Sequence, residues 1–309
     1  MTIVTTDIAM AAAALRRGEL VAFATETVYG LGADATNGKA VAGIYEAKGR
    51  PSFNPLIVHV PTLEAAFALG RFSDDALVLA DALWPGPFTL VVERSAGCPV
   101  SELVSAGLSS IAIRVPGHAG ARKLLQAAGL PVAAPSANRS GQISPTRPEH
   151  VMAGLDGRIW GVLDMGTCEV GLESTIVSCL GRTPVLLRPG GVSREQVEAV
   201  LGKPVLAEAG GDTAPVAPGQ MESHYAPRAR VRPEARSASD GEVMLGFGDI
   251  DGTLNLSPTG DMAEAAANLF AMLHALDATG AATIAVAPIP HEGLGAAIND
   301  RLTRAAAPR

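Results

Sequence analysis

The chain has 309 residues, enough for one large domain or two unequal ones, and 48% are hydrophobic while only 4% are aromatic, so its core must be Ala, Val, Leu and Ile. That composition favours helices packed on a sheet over an aromatic-rich sandwich. The net charge of −7 is uneven, with 17 basic and 18 acidic side chains in residues 1–205 against 7 and 13 in residues 206–309, and the acidic second part argues against indiscriminate nucleic-acid binding.

A helix is expected over residues 7–17 and a buried strand over 20–24. Gly30-Leu31-Gly32-Ala33-Asp34-Ala35 formally fits a dinucleotide fingerprint, but Thr25 to Tyr29 separate it from the strand and no acidic residue lies about 20 positions on. The segment reads instead as a tight glycine turn. A helix over 39–47, a strand over 55–60, and helices over 62–69 and 73–83 follow, the last stopped by Trp84-Pro85-Gly86-Pro87. Strands are expected at 88–93 and 111–115, a helix at 118–128, and strands at 132–134, 159–163, 174–179 and 184–187. A helix at 193–201 closes this part. Helices and strands alternate loosely, which predicts a mixed twisted sheet.

The pattern then breaks over 204–228, where prolines and glycines give linker composition. Periodicity returns with a strand at 242–247, a helix at 261–278, a strand at 283–286 and a helix near 292–305. The division is therefore a larger α/β unit over 1–203, a connector over 204–228, and a small C-terminal α/β domain over 229–309. No apolar run reaches the roughly 20 residues of a membrane helix, and the N-terminus has no signal-peptide pattern. A cytoplasmic location is expected. The cysteines, Cys98, Cys168 and Cys179, are odd in number and lack CxxC spacing. Buried, inert thiols are expected, with no disulfide framework and no zinc site.

Several strand and helix ends carry polar groups with two readings each. Lys48 and Arg50 could complement a helix dipole, or, with Pro51 and Asn54, form a rigid phosphate clamp. Ser136, Asn138 and Ser144 fit ordinary turn chemistry or ligand contacts. Arg114 and Arg188 close two apolar strands, as snorkelling groups or as anion binders. Together these ends suggest a site at one edge of the sheet. There is no G-x-S-x-G elbow, no P-loop and no metal-ligand spacing. No nucleophile and no protein-held metal are expected.

Taken together, TETVYGLGA, KGRPSFNPLIVH, WPGPFTLV, SSIAIRVP, APSANRSGQISPT, GLESTIV and VLLRPG, in order over about residues 20–190, resemble the threonylcarbamoyl-AMP synthase family with its YrdC-type domain. APGQMESHYAP and the small domain after it resemble the longer, two-domain form. The resemblance implies that ATP, L-threonine and bicarbonate yield threonylcarbamoyl-AMP and pyrophosphate, for N6-threonylcarbamoyladenosine in tRNA. It implies that Lys48 and Arg50 are catalytic, and that Thr27, His59, Arg114, Ala134 and Ser174 bind L-threonine. It implies that Arg50, Asn54, Ser110, Ser136, Ser144, Arg188 and Tyr225 contact ATP, with Tyr225 and His224 as a lid. Mg2+ is expected with ATP, held by phosphate oxygens and water, and the product is expected to pass to a tRNA threonylcarbamoyltransferase complex. Direct tRNA binding stays open, as do a non-catalytic RNA- or nucleotide-binding module and a carbamoyl-transferring or hydrolytic relative.

Overall fold

The structure is a computed structural model that describes residues 1–51, 54–207 and 223–308. Among these residues the larger unit is built on a twelve-stranded mixed sheet. Its strands lie, from edge to edge, in the order Ile3–Thr5, Gly161–Leu163, Val21–Ala24, Tyr29–Asp34, Val132–Ala133, Ile57–His59, Ser110–Arg114, Phe88–Arg94, Thr175–Ser178, Val185–Arg188 and Leu206–Ala207. Gly70–Arg71 adds a short strand to Phe88–Arg94. Parallel and antiparallel pairs both occur, as the loose alternation predicts.

Successive side chains in a strand point to opposite faces, and this sorts the core. Ala22, Leu31, Ala33, Val58, Leu90, Val92, Ile111, Ile113 and Val177 turn to one face. There they pack under the helices Gly38–Lys48, Asp74–Leu83, Pro148–Leu155 and Arg194–Leu201. On the other face, Val21, Phe23, Val132 and Ala134 pack under the helices Ile8–Arg16 and Ala119–Ala128. Beside that covered half lies a small separate apolar floor of Ile57, Val91, Ala112 and Ile176.

Local signals explain how the polar ends are placed. Helix Gly38–Lys48 starts at Asn37, whose side chain accepts the N–H groups of Lys39 and Ala40, and ends at Gly49 in the left-handed conformation, φ 63°. This fixes Lys48 in the last turn and turns the chain so that Arg50 follows at once. The turn expected at Gly30-Leu31-Gly32 is instead part of the strand Tyr29–Asp34, paired antiparallel with Val21–Ala24. Neither glycine has positive φ. What requires glycine is close approach: a Cβ on Gly32 would lie 2.9 Å from a Phe23 ring carbon and 3.0 Å from a Val132 methyl.

The C-terminal unit has a four-stranded parallel sheet in the order Arg230–Arg232, Thr283–Val286, Glu242–Gly246, Leu254–Asn255, with helices Met262–Ala278 and Leu294–Ala306. Its core is continuous with the larger unit, because Val28, Ile143 and Leu172 join Leu269, Phe270 and Leu273 in one cluster. Gly171, at φ 69°, lets its loop approach helix Met262–Ala278 so closely that a Cβ would meet Ala266 and Ala267 backbone at 2.5–2.6 Å. Of the connector expected over 204–228, Leu206–Ala207 pairs into the larger sheet and residues 208–222 lie outside the described residues. Cys168 and Cys179 are buried, with burial pushing both thiols up to about 12. Cys98 is only half-buried.

Candidate active site

The polar strand ends do not gather at a sheet edge. They lie across the half of one sheet face that helices Ile8–Arg16 and Ala119–Ala128 do not cover, because strand register places them there. Ile57 pairs with Ala112 and His59 with Arg114, while the Ala134 N–H donates to the Ile57 carbonyl. Gly30 bridges to Ser136. Period-two alternation then brings Ser110, Ala112 and Arg114, Ile57 and His59, and Ala134 and Ser136 to the same side. An edge site would need these strands to stop in line. Instead, neighbours run in both directions, and equivalent groups fall along their length.

Thr27, Arg50, His59, Arg114, Ala134, Ser136, Ser174, Arg188 and Tyr225 line one small cavity of about 40 Å3, together with Thr25, Glu173 and His224. Four residues singled out in the sequence do not line it. Lys48 is buried and donates its ammonium to the carbonyls of Ser136 and Asn138, each at 2.5 Å, so it braces the turn carrying Ser136. The Asn54 carbonyl accepts Arg50 Nε at 3.4 Å, while its amide N and O are buried without a partner among the described residues. The Ser144 hydroxyl donates to Glu173. Ser110 starts its strand opposite Glu93, about 13 Å along from Arg114 at the usual rise per residue.

The loop after strand Val21–Ala24 is stapled by hydroxyls. Thr25 Oγ1 donates to the Val28 carbonyl at 2.8 Å and meets Thr27 Oγ1 at 2.7 Å, so Thr27 is the donor of that pair. Arg114 donates to Thr27 Oγ1 at 2.9 Å, to the Gly86 carbonyl at 3.3 Å and to Glu26 at 2.6 Å. Its guanidinium is thus fixed before any ligand arrives. Burial raises the Glu26 carboxyl, but Arg114 and the hydrogen bond at Gly117 outweigh it and hold the group below its ordinary value. His59 is held down to about 3 by burial and then by Arg114, so it stays neutral, and its Nδ1 has no partner among the described residues.

On the far side two loops cross. Arg188 donates from Nε and one terminal nitrogen to the Ser174 carbonyl, at 3.1 and 2.8 Å, and to its hydroxyl at 3.1 Å. The same hydroxyl meets Thr89 Oγ1 at 2.7 Å. The crossing is so tight that a Cβ on Gly190 would lie 2.3 Å from the Glu173 carbonyl. Tyr225 lines the cavity in a left-handed conformation, φ 62°, which is strained for a tyrosine. It packs against His224 and Phe270.

The electrostatics are one-sided. Burial holds Arg50 down to about 10 even with Tyr45 and Tyr225 nearby, and pushes Lys48 far below its ordinary value with help from Arg50. Arg188 is lowered by burial as well. Burying cations this close together is costly unless an anion joins them. The two nearby carboxylates are already engaged, Glu26 by Arg114 and Glu173 by Arg301. The donor set therefore does not fit a metal held by the protein, and among the described residues no three metal-binding side chains converge.

Sequence reasoning did not single out Glu26, Thr89, Glu173 or Arg301. Glu26 and Glu173 each adjoin a site residue inside a quoted motif, which was a usable signal. Arg301 had none, since its helix carries no motif.

Comparisons with known proteins give the family. A family model described as "Telomere recombination", of the Sua5, YciO and YrdC type, matches residues 13–190. A second, "Threonylcarbamoyl-AMP synthase, C-terminal domain", matches residues 192–307. The threonylcarbamoyl-AMP synthase of Bacillus subtilis is 42% identical, covering 98% of this chain and 94% of that protein. The Pyrococcus abyssi protein of the same name is 40% identical, covering 96% and 93%. The crystal structure of P. abyssi Sua5 complexed with L-threonine superposes with a TM-score of 0.90 at 37% identity, over 99% of this chain and 97% of that one. A variant of the same protein, with a histidine and the tyrosine after it replaced by alanines, matches with the same TM-score. On these grounds the chain belongs to the threonylcarbamoyl-AMP synthase family, in its two-domain form.

Proposed function

We propose that this chain makes threonylcarbamoyl-AMP from ATP, L-threonine and bicarbonate, releasing pyrophosphate. The carrying observation is the buried cluster of Lys48, Arg50 and Arg188 beside a hydroxyl-lined, neutral half at Thr27, His59 and Ser174. The first half suits a polyanion and the second a small polar zwitterion. In this reading the threonine amine adds to bicarbonate with loss of water, giving a carbamate. A carbamate oxygen then attacks the α-phosphorus, and the bond to the β-phosphate oxygen breaks. The substrate supplies the nucleophile, so the protein's part is positioning and charge stabilisation.

Arg50, with Lys48 bracing Ser136 and Asn54 alongside, holds the phosphates. Ser136, Ser144, Ser110 and Arg188 complete the nucleotide side. Arg114, oriented by Glu26, takes the threonine carboxylate, with Thr27, His59, Ser174 and the backbone at Ala134 around the rest. Magnesium enters with ATP, on phosphate oxygens and water. His224 and Tyr225 line the cavity and are buried; in this reading they lift for entry and return to exclude water from labile intermediates. They form the one His–Tyr dipeptide of the chain, the same pair type altered in the P. abyssi variant.

The test is pyrophosphate release from ATP and bicarbonate, with and without L-threonine. Threonine-dependent release is expected. Release with carbamoyl phosphate but not threonine would overturn the reading in favour of a carbamoyl-transferring relative. Salt-sensitive RNA binding without turnover would overturn it in favour of a binding module. Passage of the product to a tRNA-modifying complex in the cytoplasm belongs to the same proposal, as does the division of the chain at 1–203, 204–228 and 229–309.

A further inference from the structure

Arg301 belongs to the C-terminal unit, on helix Leu294–Ala306, yet it is fully buried against the candidate active site. Its Nε donates to Glu173 at 2.9 Å, and Nη1 donates to the Pro189 carbonyl at 2.8 Å and to Asp300 at 2.8 Å. Glu173 directly precedes Ser174, and Pro189 directly follows Arg188. One guanidinium therefore staples both crossing loops. Its carbon also lies 5.2 Å from the centre of the Tyr225 ring. On the same helix, the Arg304 carbonyl accepts the His224 N–H at 3.2 Å. The remaining Nη2 of Arg301 is buried without a partner among the described residues, a costly arrangement for a residue kept for stability alone.

We propose that Arg301 is a positioning residue through which the C-terminal unit completes the site: it fixes Ser174 and Arg188 by way of Glu173 and Pro189, and seats Tyr225 over them. The planar fork matters, because two loops must be held at a set angle, and lysine offers only a point charge. The second unit is then part of the catalytic device, and undocking it loosens both substrate halves at once. This rests on the functional reading above.

The experiment uses the full chain and two readouts, threonine-dependent pyrophosphate release and ATP affinity by calorimetry. Arg301→Ala is expected to lower kcat/KM for ATP and for threonine by roughly ten- to a hundredfold, and to weaken ATP binding. Arg301→Lys is expected to recover only part of the loss. Glu173→Gln combined with Arg301→Ala is expected to lose less than the product of the two single losses, since the two variants share the Glu173–Arg301 contact. Should Arg301→Ala fail to fold, the neutral pair Glu173→Gln with Arg301→Met removes both charges together and reads the same quantities. Variants that melt earlier but keep wild-type KM values and ATP affinity would overturn the proposal, as would losses that multiply in the double variant. A wild-type enzyme that binds ATP but releases no pyrophosphate with threonine would instead overturn the functional reading. The ATP affinities of the variants would still decide the role of Arg301.

Discussion

Arg114 meets Glu26 at 2.6 Å, and both side chains are buried, at 4% and 9% exposure. The pair orients Arg114 toward Thr27 and the cavity. Removing one member of a buried pair strands the other charge and costs about 3–5 kcal/mol, more than the pair contributes intact. Glu26→Gln should therefore destabilise the protein by about that amount and weaken threonine dependence. Chemical unfolding and threonine titration of pyrophosphate release check both. The Glu26 carboxyl is held below its unfolded value, so its contribution is present above that unfolded value and is lost as pH falls through the folded one.

Arg50 is the contrasting case. Among the described residues it donates to the carbonyls of Asn54 and Pro55, at 3.4 and 3.1 Å, and has no carboxylate partner. Arg50→Ala removes a buried cation that repels Lys48 and Arg188. Stability should stay level or rise, while turnover falls by about 10²–10³-fold, the usual loss when a preorganised charge-stabilising donor is removed. Full activity with an unchanged melting temperature would remove Arg50 from the phosphate site.

Much of this was legible in the chain. The helix expected over 39–47 is found as Gly38–Lys48, and its caps Asn37 and Gly49 fix where Lys48 and Arg50 emerge. The motif residues Thr27, His59, Arg114, Ser136, Ser174 and Arg188 do share one cavity. What was not legible depended on pairing partners. Whether groups share an edge or a face follows from register, which sequence spacing within one strand does not contain. Gly30 and Gly32 read as a turn because glycine usually signals positive φ. Here Gly32 admits Phe23 and Val132, and Gly30 admits Ala134, across the sheet. The contact of Arg301 with Glu173 spans 128 residues, and nothing local announces it.

Gly32 gives a direct test of that close approach. A Cβ there would press on Phe23, whose ring sits edge-on to His59 at 6.4 Å. Gly32→Ala should cost about 1–3 kcal/mol through overpacking and displace His59, raising the threonine requirement. Gly97→Ala serves as the control, since a Cβ there meets nothing within 4 Å. Equal melting temperatures for the two variants would refute the packing account.

His150 and His274 stack across the two units at 3.9 Å between ring centres. His150 Nδ1 lies 3.3 Å from the Thr146 N–H and must accept it, so this nitrogen carries no proton. His274 Nε2 faces the Ser144 carbonyl at 3.2 Å and must donate. Protonating His150 would set two N–H groups against each other. Burial, then His274 and Arg147, hold its pKa down to about 3, below the ordinary 6.5. His274 is lowered too, chiefly by burial. Between those values the unfolded or undocked chain takes up a proton that the docked form refuses. Stability is therefore complete above about pH 6.5 and is lost as pH falls toward 3, with a slope of up to about 1.4 kcal/mol per pH unit for each such histidine. His59 adds to the same slope, so a variant is needed to separate them. His150→Asn keeps an oxygen near the Nδ1 position to accept from Thr146 but cannot titrate. Urea unfolding at pH 7 and pH 5 should show a smaller difference for His150→Asn than for the unaltered chain, and equal differences would exclude the stacked pair as an acid-sensitive seam.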